Sequence, residues 1–256
     1  MYKKFFKRFF DIVFSGLMLI ILSPLLLILA IIVRLNLGAP VIFKQARVGK
    51  GGKLFMFYKF RSMSTAKDKD GVDLPDELRH TKFGKLLRAT SLDELPQLWN
   101  IFKGDMSFVG PRPKVPKDML FFNKYYKGDD VRPGITGYSQ AHGRNGISWT
   151  KRLNGDNYYT ENVSLLMDIK IIFLTVVAVF KKSNIDKKQY FYYADEMLDK
   201  GLITQSEYDA YHLKARELEA RCGMCEKVNI RDYALYKTRD VAIPAEIVAR
   251  DEQKSA

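Results

Sequence analysis

The chain has 256 residues and a formal net charge of +13, so it is long enough to bury a core in one large domain or in a domain with an appendage. The positive charge is confined to residues 1–185, which hold 30 Lys and Arg against 15 Asp and Glu, whereas residues 186–256 hold 12 against 14. The basic part is suited to an anionic partner, namely nucleic acid, anionic lipid or a phosphorylated substrate. The absence of a nucleic-acid recognition motif argues against the first of these classes.

An uncharged run of 22 residues, Ile12 to Val33, lies between Asp11 and Arg34. As a helix it would extend about 33 Å, enough to cross a bilayer core of about 30 Å. Pro24 lies at its middle and removes a backbone donor, for which Ser23 can supply a substitute hydrogen bond. Lys and Arg flank both ends, which favours both ends on the cytoplasmic side and hence a re-entrant helix–break–helix segment. A spanning helix with a proline kink is the alternative.

The elements after this segment are shorter. Val41 to Lys59 predicts a β-hairpin, because two β-prone runs flank the turn Gly49-Lys50-Gly51-Gly52. The runs Leu78 to Arg88 and Lys151 to Ile172 have helical patterns, and Asp129 to Asn145 is irregular, with three glycines and a proline.

Two further stretches have the composition of lipid-contacting helices. Met119 to Tyr126 is aromatic and basic, as interfacial helices are. Leu165 to Phe180 is apolar but too short and too charged to span a membrane, and a buried core helix is an equal alternative. Near the C-terminus, Asp195 to Ala220 predicts two helices around a glycine turn, with Thr204 as an N-cap and Glu207 completing a capping box.

These elements predict an α+β fold with three parts. Residues 1–38 form the re-entrant membrane helix. Residues 39–185 form a small, mostly helical globular core with a β-hairpin and interfacial amphipathic helices. Residues 186–256 form a C-terminal helical extension of unassigned role. The extension holds a lone Cys222-x-x-Cys225 pair, which has too few ligands for zinc and is expected to be reduced, as on a cytosolic face.

The acidic pair Asp93 and Glu94 is the feature that points to chemistry. Ser91-x-x-Glu94 fits a helix capping box, in which the acids would only complement the helix dipole. Pro96 disturbs that register, because proline prefers the first helical position, and in the other register it begins the helix with both acids just ahead of it. In either case the acids lie at a helix start, where backbone N–H groups face an incoming anion.

A carboxylate in such a place can attack a phosphoryl group and form an acyl phosphate. Two like charges about 4 Å apart repel by about 4 kcal/mol at an effective dielectric near 20, so a cation is needed. Mg²⁺ suits one or two carboxylates plus phosphate oxygens. Arg112, between Pro111 and Pro113, can present a fixed fork to a phosphate. The other candidates for phosphate binding are Lys59, Arg61, Arg88 and Arg144.

Several motifs together resemble one known family. SLDELPQLWN, GDMSFVGPRP, RPGITG and GRN occur in the order found in bacterial sugar transferases, the monotopic polyprenyl-phosphate phosphoglycosyl transferases, here of the small single-domain type. The resemblance runs from about Lys4 to Lys181 and includes Ser23-Pro24, the element Lys59 to Met63 and the stretch Asn162 to Lys170.

This resemblance implies a reaction. Family members move a sugar 1-phosphate from a UDP-sugar to polyprenyl (undecaprenyl) phosphate. It implies that Asp93 is the nucleophile that releases UMP and holds the phosphosugar, that Glu94 assists, that Asp93 also binds Mg²⁺, and that Arg112 holds phosphate. It also implies a re-entrant hairpin at Ser23-Pro24 in the bacterial inner membrane, with the core on the cytoplasmic face in contact with membrane lipid. Self-association into a homo-oligomer is a further prediction.

Two departures from the family pattern are visible. His142 stands where many relatives have Asn, and the extension after about Asp186 lies outside the resemblance. A non-catalytic membrane-surface adaptor, using the basic face for lipid and the C-terminal helices for a partner, is the alternative to an enzyme.

Overall fold

The fold is known from a computed structural model that describes residues 1–66, 69, 74, 76–121, 126–143, 148–180, 193–201, 203–224 and 227–232. Arg144, Cys225 and most of the polar loop at 66–75 lie outside the described residues, as do residues 122–125 of the Met119 to Tyr126 stretch. The chain mixes helices and strands, with a small β-hairpin, so the α+β prediction is confirmed at this level.

Two helices, α1 (Lys7–Ile21) and α2 (Ser23–Leu37), form the N-terminal segment and are bent by 63° at their junction. Pro24 has no N–H to bond to the carbonyl of Ile20, and the Ser23 hydroxyl donates to that carbonyl instead at 2.8 Å. The two helices are thus interrupted at Leu22, directly before the predicted break at Ser23-Pro24. Among the described helices none alone is long and apolar enough to cross a membrane, whereas the bent pair together has the required length and composition.

Polar side chains on the inner face of the N-terminal segment attach it to the rest of the protein. Asp11 is 3% exposed and accepts hydrogen bonds from Ser107 Oγ and Phe108 N, each at 3.0 Å. Arg8 donates to the carbonyls of Ile101 and Phe102 at 2.6 and 2.8 Å. The outer faces of both helices expose large apolar side chains, so the segment has one polar docked face and one face suited to lipid.

The β-hairpin is formed by β1 (Ile42–Val48) and β2 (Leu54–Phe60), antiparallel with Phe43 opposite Lys59 and Val48 opposite Leu54. This confirms the predicted hairpin. Gly51 and Gly52 have positive φ angles of 70° and 77°, which the tight turn between the strands requires.

The helix predicted from Leu78 to Arg88 is wrong as one element, because the structure has α3 (Asp76–Arg79) and α4 (Lys82–Ala89) instead. Thr81 is extended between them and accepts a hydrogen bond from Gly84 N at 3.0 Å. A new N-cap therefore starts α4 within the helical pattern.

After α4 come α5 (Gln97–Lys103), β3 (Ser107–Val109) and α6 (Pro116–Phe121). The stretch predicted as irregular contains β4 (Gly134–Thr136) and α7 (Tyr138–Gly143), which corrects that prediction. β4 pairs in parallel with β3, and a three-residue strand stabilised by a partner 27 positions away in the chain has no local signature.

Helix α8 (Trp149–Glu161) and helix α9 (Leu165–Phe180) replace the single helix predicted from Lys151 to Ile172. Asp168 of α9 is 4% exposed and lies between the N-terminal segment and the core. It accepts hydrogen bonds from Tyr159 Oη at 2.7 Å and from Tyr2 Oη and Lys7 Nζ, each at 2.5 Å. One side of helix α9 therefore packs in the core. Its other face is apolar and exposed.

The C-terminal part forms α10 (Tyr193–Asp199) and α11 (Gln205–Gly223), with Gly201 at φ 66° between them. Thr204 and Glu207 form the predicted capping box. These helices pack on the rest of the protein, and a buried cluster combines residues of the extension with residues of the core. The cluster includes Val48, Met119, Trp149, Leu153, Met197, Tyr211, Leu218, Val228 and Ile230.

Candidate active site

The acidic pair lies in a tight helical turn, Leu92–Glu94, that directly precedes α5. Ser91 adopts a left-handed conformation with φ 57°, and its side chain makes no capping hydrogen bond. The capping-box interpretation of Ser91 is therefore wrong. Pro96 is the N-cap of α5, as the second register predicted, because a residue without an N–H fits a helix start and not its interior.

Three elements bring cations to this turn. Lys59 lies near the end of β2, Arg88 lies in the last turn of α4, and Arg112 lies in the proline-flanked segment after β3. All three lower the pKa of Asp93, which places them near its carboxylate. The structure thus brings together Asp93 and Glu94 with three of the five predicted phosphate-binding residues.

Glu94 and Arg112 form an ion pair, with Arg112 Nη2 donating to Glu94 Oε1 at 2.7 Å. Burial acts to raise the pKa of Glu94, but the charge and hydrogen bond of Arg112 outweigh it, so the pKa is held below its ordinary value. Glu94 is therefore ionised at neutral pH and fixed in direction. The side chain of Arg112 is 45% exposed and has donors left for an anion from solvent.

Asp93 differs from its neighbour, since it is 5% exposed and forms no hydrogen bond or ion pair with the described residues. Burial and the charge of Glu94 raise the pKa of Asp93 to about 6, against the opposing charges of Lys59, Arg88 and Arg112. A carboxylate with this pKa is largely ionised at neutral pH and only weakly solvated. Such a group is an available nucleophile surrounded by positive charge.

The pKa of Lys59 lies closer to neutral pH than that of an ordinary lysine. Burial lowers its pKa to about 8, and Asp93 opposes this shift while Arg88 and Arg112 reinforce it. Its Nζ atom lies 5.1 Å from the centre of the Phe43 ring, on the paired strand, and the ring supports the cation without neutralising it. Lys59 therefore remains charged at neutral pH and available to an anion.

Arg88 is oriented by His80, which the sequence analysis did not single out. Arg88 Nη1 lies 3.2 Å from His80 Nε2, and since a guanidinium only donates, Nε2 of His80 accepts in this contact. His80 lies at the break between α3 and α4, which the sequence pattern did not reveal.

Asn100 and Gln97, both in α5 and fully buried, were also passed over. Asn100 accepts from Tyr58 N at 3.2 Å and donates to the carbonyl of Met56 at 2.7 Å, so it ties α5 to the strand that carries Lys59. The side-chain amide of Gln97 lies close enough to Glu94 to help lower the pKa of that carboxyl. The sequence signal that could have identified these two residues is the presence of two side-chain amides among apolar residues on one short helix.

Arg61 is not brought to the acidic pair. Its Nη1 donates to the carbonyl of Ala39 at 2.6 Å, and its guanidinium faces the end of α2. Arg144 lies outside the described residues. A shallow depression lies beside the site, lined by Arg112, Lys114 and Asp129 among others but not by Asp93.

The acidic pair can hold a divalent cation only if groups other than the protein's side chains supply the remaining ligands. Among the described residues no group of three His, Cys, Asp or Glu side chains is arranged to hold a metal. Asp93 offers a carboxylate with no hydrogen-bond partner, and the Glu94 charge beside it increases the local negative potential. This donor set suits Mg²⁺, which commonly takes one or two carboxylates and completes its coordination with phosphate and water.

The fold and site place a buried carboxylate, surrounded by cations, beside an apolar N-terminal helix pair. Residues 2–182 match the family model described as bacterial sugar transferase. The chain belongs to this family and is an enzyme of its class, which favours the catalytic hypothesis over the adaptor.

Curated relatives agree with this assignment. The chain is 45% identical over 185 residues to a Bacillus subtilis protein described as an uncharacterized sugar transferase, EpsL, covering 72% of this chain and 92% of that protein. It is 43% identical over 186 residues to the UDP-glucose:undecaprenyl-phosphate glucose-1-phosphate transferase of Klebsiella pneumoniae. It is 41% identical over 202 residues to the undecaprenyl-phosphate galactose phosphotransferase of Salmonella typhimurium. These two matches cover 68% and 70% of this chain but only 40% and 41% of the relatives' own lengths.

Proposed function

We propose that the protein transfers a sugar 1-phosphate from a UDP-sugar to undecaprenyl phosphate through a covalent phosphosugar on Asp93. The observation that carries the proposal is the state of Asp93, a buried carboxylate with no hydrogen-bond partner among the described residues and three cations nearby. The names of two relatives supply the substrate classes, a UDP-sugar and undecaprenyl phosphate.

In the first step a carboxylate oxygen of Asp93 attacks the phosphorus that bears the sugar. The bond from that phosphorus to the bridging oxygen breaks, and UMP leaves with the electron pair. Lys59 and Arg88 stabilise the negative charge on the phosphate oxygens, because they are the cations whose fields reach Asp93 without an ion pair to Glu94.

In the second step a phosphate oxygen of undecaprenyl phosphate attacks the same phosphorus. The bond from phosphorus to Asp93 breaks, which restores the free carboxylate and gives an undecaprenyl diphosphate sugar. Glu94 is held by Arg112 and keeps its charge, so it is suited to orient groups and to limit the space beside Asp93. The free donors of Arg112 bind a phosphate that arrives from solvent.

Asp93 would hold Mg²⁺ together with phosphate oxygens of the donor. When bound, Mg²⁺ supplies the positive charge that reduces repulsion between the acidic pair and the diphosphate. The protein's own part is to keep Asp93 ionised and Glu94 turned toward Arg112.

We further propose that the N-terminal helix pair is re-entrant in the bacterial inner membrane, with the core on the cytoplasmic face. Three features support this. The helices bend by 63° at Ser23-Pro24, and the basic residues at both ends favour the cytoplasmic side. The polar contacts of Arg8 and Asp11 also hold the start of α1 against the core, so that end stays at the protein surface and not in the bilayer. Self-association stays a prediction, to be tested by the mass of the purified particle.

The test is a screen for UMP release over a panel of UDP-sugars, with Mg²⁺ and with or without undecaprenyl phosphate. We expect one donor to give a single equivalent of UMP without the acceptor and continuous release with it. Intact-protein mass spectrometry should then find a phosphosugar adduct that peptide mapping assigns to Asp93. An adduct on another residue, or turnover with no covalent species at any time, would overturn the proposed mechanism.

A further inference from the structure

Two arginines lie side by side where α2 ends and the chain turns toward the hairpin. Gly38, with φ 78°, separates them, and a Cβ atom placed on it would lie 3.6 Å from Arg61 Nη2 and 4.0 Å from Arg34 Nη1. Arg34 is exposed, whereas Arg61 is only 5% exposed. The two guanidinium groups therefore border the same small gap beside Gly38, where the positive φ favours glycine.

The buried guanidinium of Arg61 is incompletely bonded. Its Nη1 atom donates to the carbonyl of Ala39 at 2.6 Å, but Nε and Nη2 have no hydrogen-bond partner among the described residues. No carboxylate among the described residues forms an ion pair with Arg61 or Arg34. Two donors without a protein acceptor on a buried cation are costly, because burial removes part of their solvation.

The charge of Arg34 increases this cost. Burial lowers the pKa of Arg61, and the nearby charge of Arg34 lowers it further. Part of the arrangement has a purely structural reason, because Arg34 in the last turn of α2 complements the helix dipole and Arg61 Nη1 closes the following loop. These roles account for Arg34 and for one nitrogen of Arg61, and they leave Nε and Nη2 without an explanation.

The position of the pair indicates the kind of anion that would complete it. Helix α2 exposes Leu27, Ile28 and Ile31, and Arg34 follows them in its last turn, at the end of the uncharged apolar run. In the proposed membrane placement this is the level of lipid head groups. Arg61 also lies two residues after Lys59, a separation of about 7 Å along an extended chain, so the gap is close to the reacting centre but separate from it.

We propose that Arg34 and Arg61 form a binding site for the phosphate group of a membrane lipid. A phosphate has the charge and the paired oxygens that match a guanidinium edge, with Nε and Nη2 of Arg61 as the two parallel donors. Arg34 lies on the solvent side and turns outward to admit the head group, then contributes its own charge. The inference rests on the proposed membrane placement, and the phosphate belongs either to a bulk phospholipid or to undecaprenyl phosphate itself.

The experiment is native mass spectrometry of the full-length protein in detergent with three lipid probes: phosphatidylglycerol, undecaprenyl phosphate and the phosphate-free diacylglycerol. The variants are Arg61→Gln and Arg34→Gln, with Lys85→Gln as a control of equal charge change on an exposed face of α4. We expect both arginine variants to bind a phosphate lipid about tenfold more weakly than the control, as the loss of a charge-assisted hydrogen bond predicts. Diacylglycerol binding should be the same in all variants.

Kinetics then identify which lipid the site serves. If the site serves undecaprenyl phosphate, the arginine variants raise its KM while the single equivalent of UMP released without acceptor is unchanged. If it serves a phospholipid, phosphatidylglycerol binding falls and the KM for undecaprenyl phosphate does not change. Arg34 is exposed, so Arg34→Gln keeps the test valid even if Arg61→Gln misfolds. Equal binding of both phosphate lipids by Arg34→Gln and the control would overturn the proposal. Absence of UMP release from the unmodified protein would instead refute the proposed function and leave the binding result standing.

Discussion

Asp93 and Asp168 are both nearly inaccessible carboxylates, yet their surroundings differ. Asp168 accepts hydrogen bonds from two tyrosines and pairs with Lys7 at 2.5 Å, so the protein compensates fully for its burial. Asp93 has cations nearby but no direct partner among the described residues, and its pKa rises to about 6. The contrast teaches that a satisfied buried charge holds elements together, whereas an unsatisfied one is kept at a cost and is available for reaction.

The largest expected effect comes from replacing the unsatisfied carboxylate. Asp93→Asn should reduce UMP release by at least about a thousandfold, because an amide cannot form the acyl phosphate. Asp209→Asn, an exposed change on α11, is the matched control and should keep full activity. Normal turnover by a folded Asp93→Asn protein would mean that another residue attacks the phosphate.

The satisfied carboxylate should give the opposite phenotype. Asp168→Asn leaves the half-buried Lys7 without its counter-charge and weakens two tyrosine hydrogen bonds, so the free energy of unfolding should fall by about 3 kcal/mol. Denaturant titration in detergent measures this loss. UMP release per folded molecule should remain near that of the unmodified protein. A large drop in catalysis with unchanged stability would contradict the anchoring role.

A third experiment tests whether the ionised form of Asp93 lowers the free energy of unfolding. Its pKa of about 6 in the folded protein exceeds the ordinary value of 3.8, so ionisation favours the unfolded chain. The stability that its raised pKa contributes is complete below pH 3.8 and is lost as the pH rises through 6. Asp93→Asn cannot ionise and should therefore be more stable than the unmodified protein near neutral pH, by up to about 3 kcal/mol. The gain should vanish toward about pH 4, and an equal gain at both pH values would contradict this explanation.

The smallest effect concerns the pH dependence of the first step. UMP release should rise with the ionisation of Asp93 near pH 6 and fall as Lys59 loses its proton near pH 8. Glu94→Gln removes a neighbouring negative charge and should move the acid limb to lower pH, whatever its effect on the absolute rate. Glu217→Gln, an exposed control, should leave the limb in place. An acid limb that does not move in Glu94→Gln would show that Glu94 does not act on the titrating group.

Features with a local cause could be predicted from the sequence. The turn of the hairpin, the helix interruption before Ser23-Pro24 and the capping box at Thr204 each depend on residues within a few positions of one another. The capping box predicted at Ser91 does not form, because Pro96 is a stronger local constraint and moves the start of the helix. The pairing of β3 with β4 depends on distant residues and has no local pattern.

The residue types of the site could be predicted from the sequence, but the directions in which their side chains point could not. The sequence indicated five basic residues for phosphate, and the structure gathers Lys59, Arg88 and Arg112 around Asp93. Arg61 turns to Ala39 instead, because it lies beyond the last residue of β2, where the regular alternation of side chains ends. The supporting roles of His80 and Asn100 depend on how α4 and α5 meet their neighbours, which composition does not encode.

The way the C-terminal helices attach has a practical consequence for anyone who shortens the protein. Val228 accepts a hydrogen bond from Leu54 at 2.9 Å, and Arg231 holds Asp129 and Asp130 at 2.9 and 2.8 Å, beside the depression lined by Arg112. A fragment that ends where the family match ends, at residue 182, would uncover Met119 and Trp149 and release that loop. Such a fragment would aggregate or lose activity for reasons unrelated to the chemistry at Asp93, and deletion studies need point substitutions such as Arg231→Gln beside them.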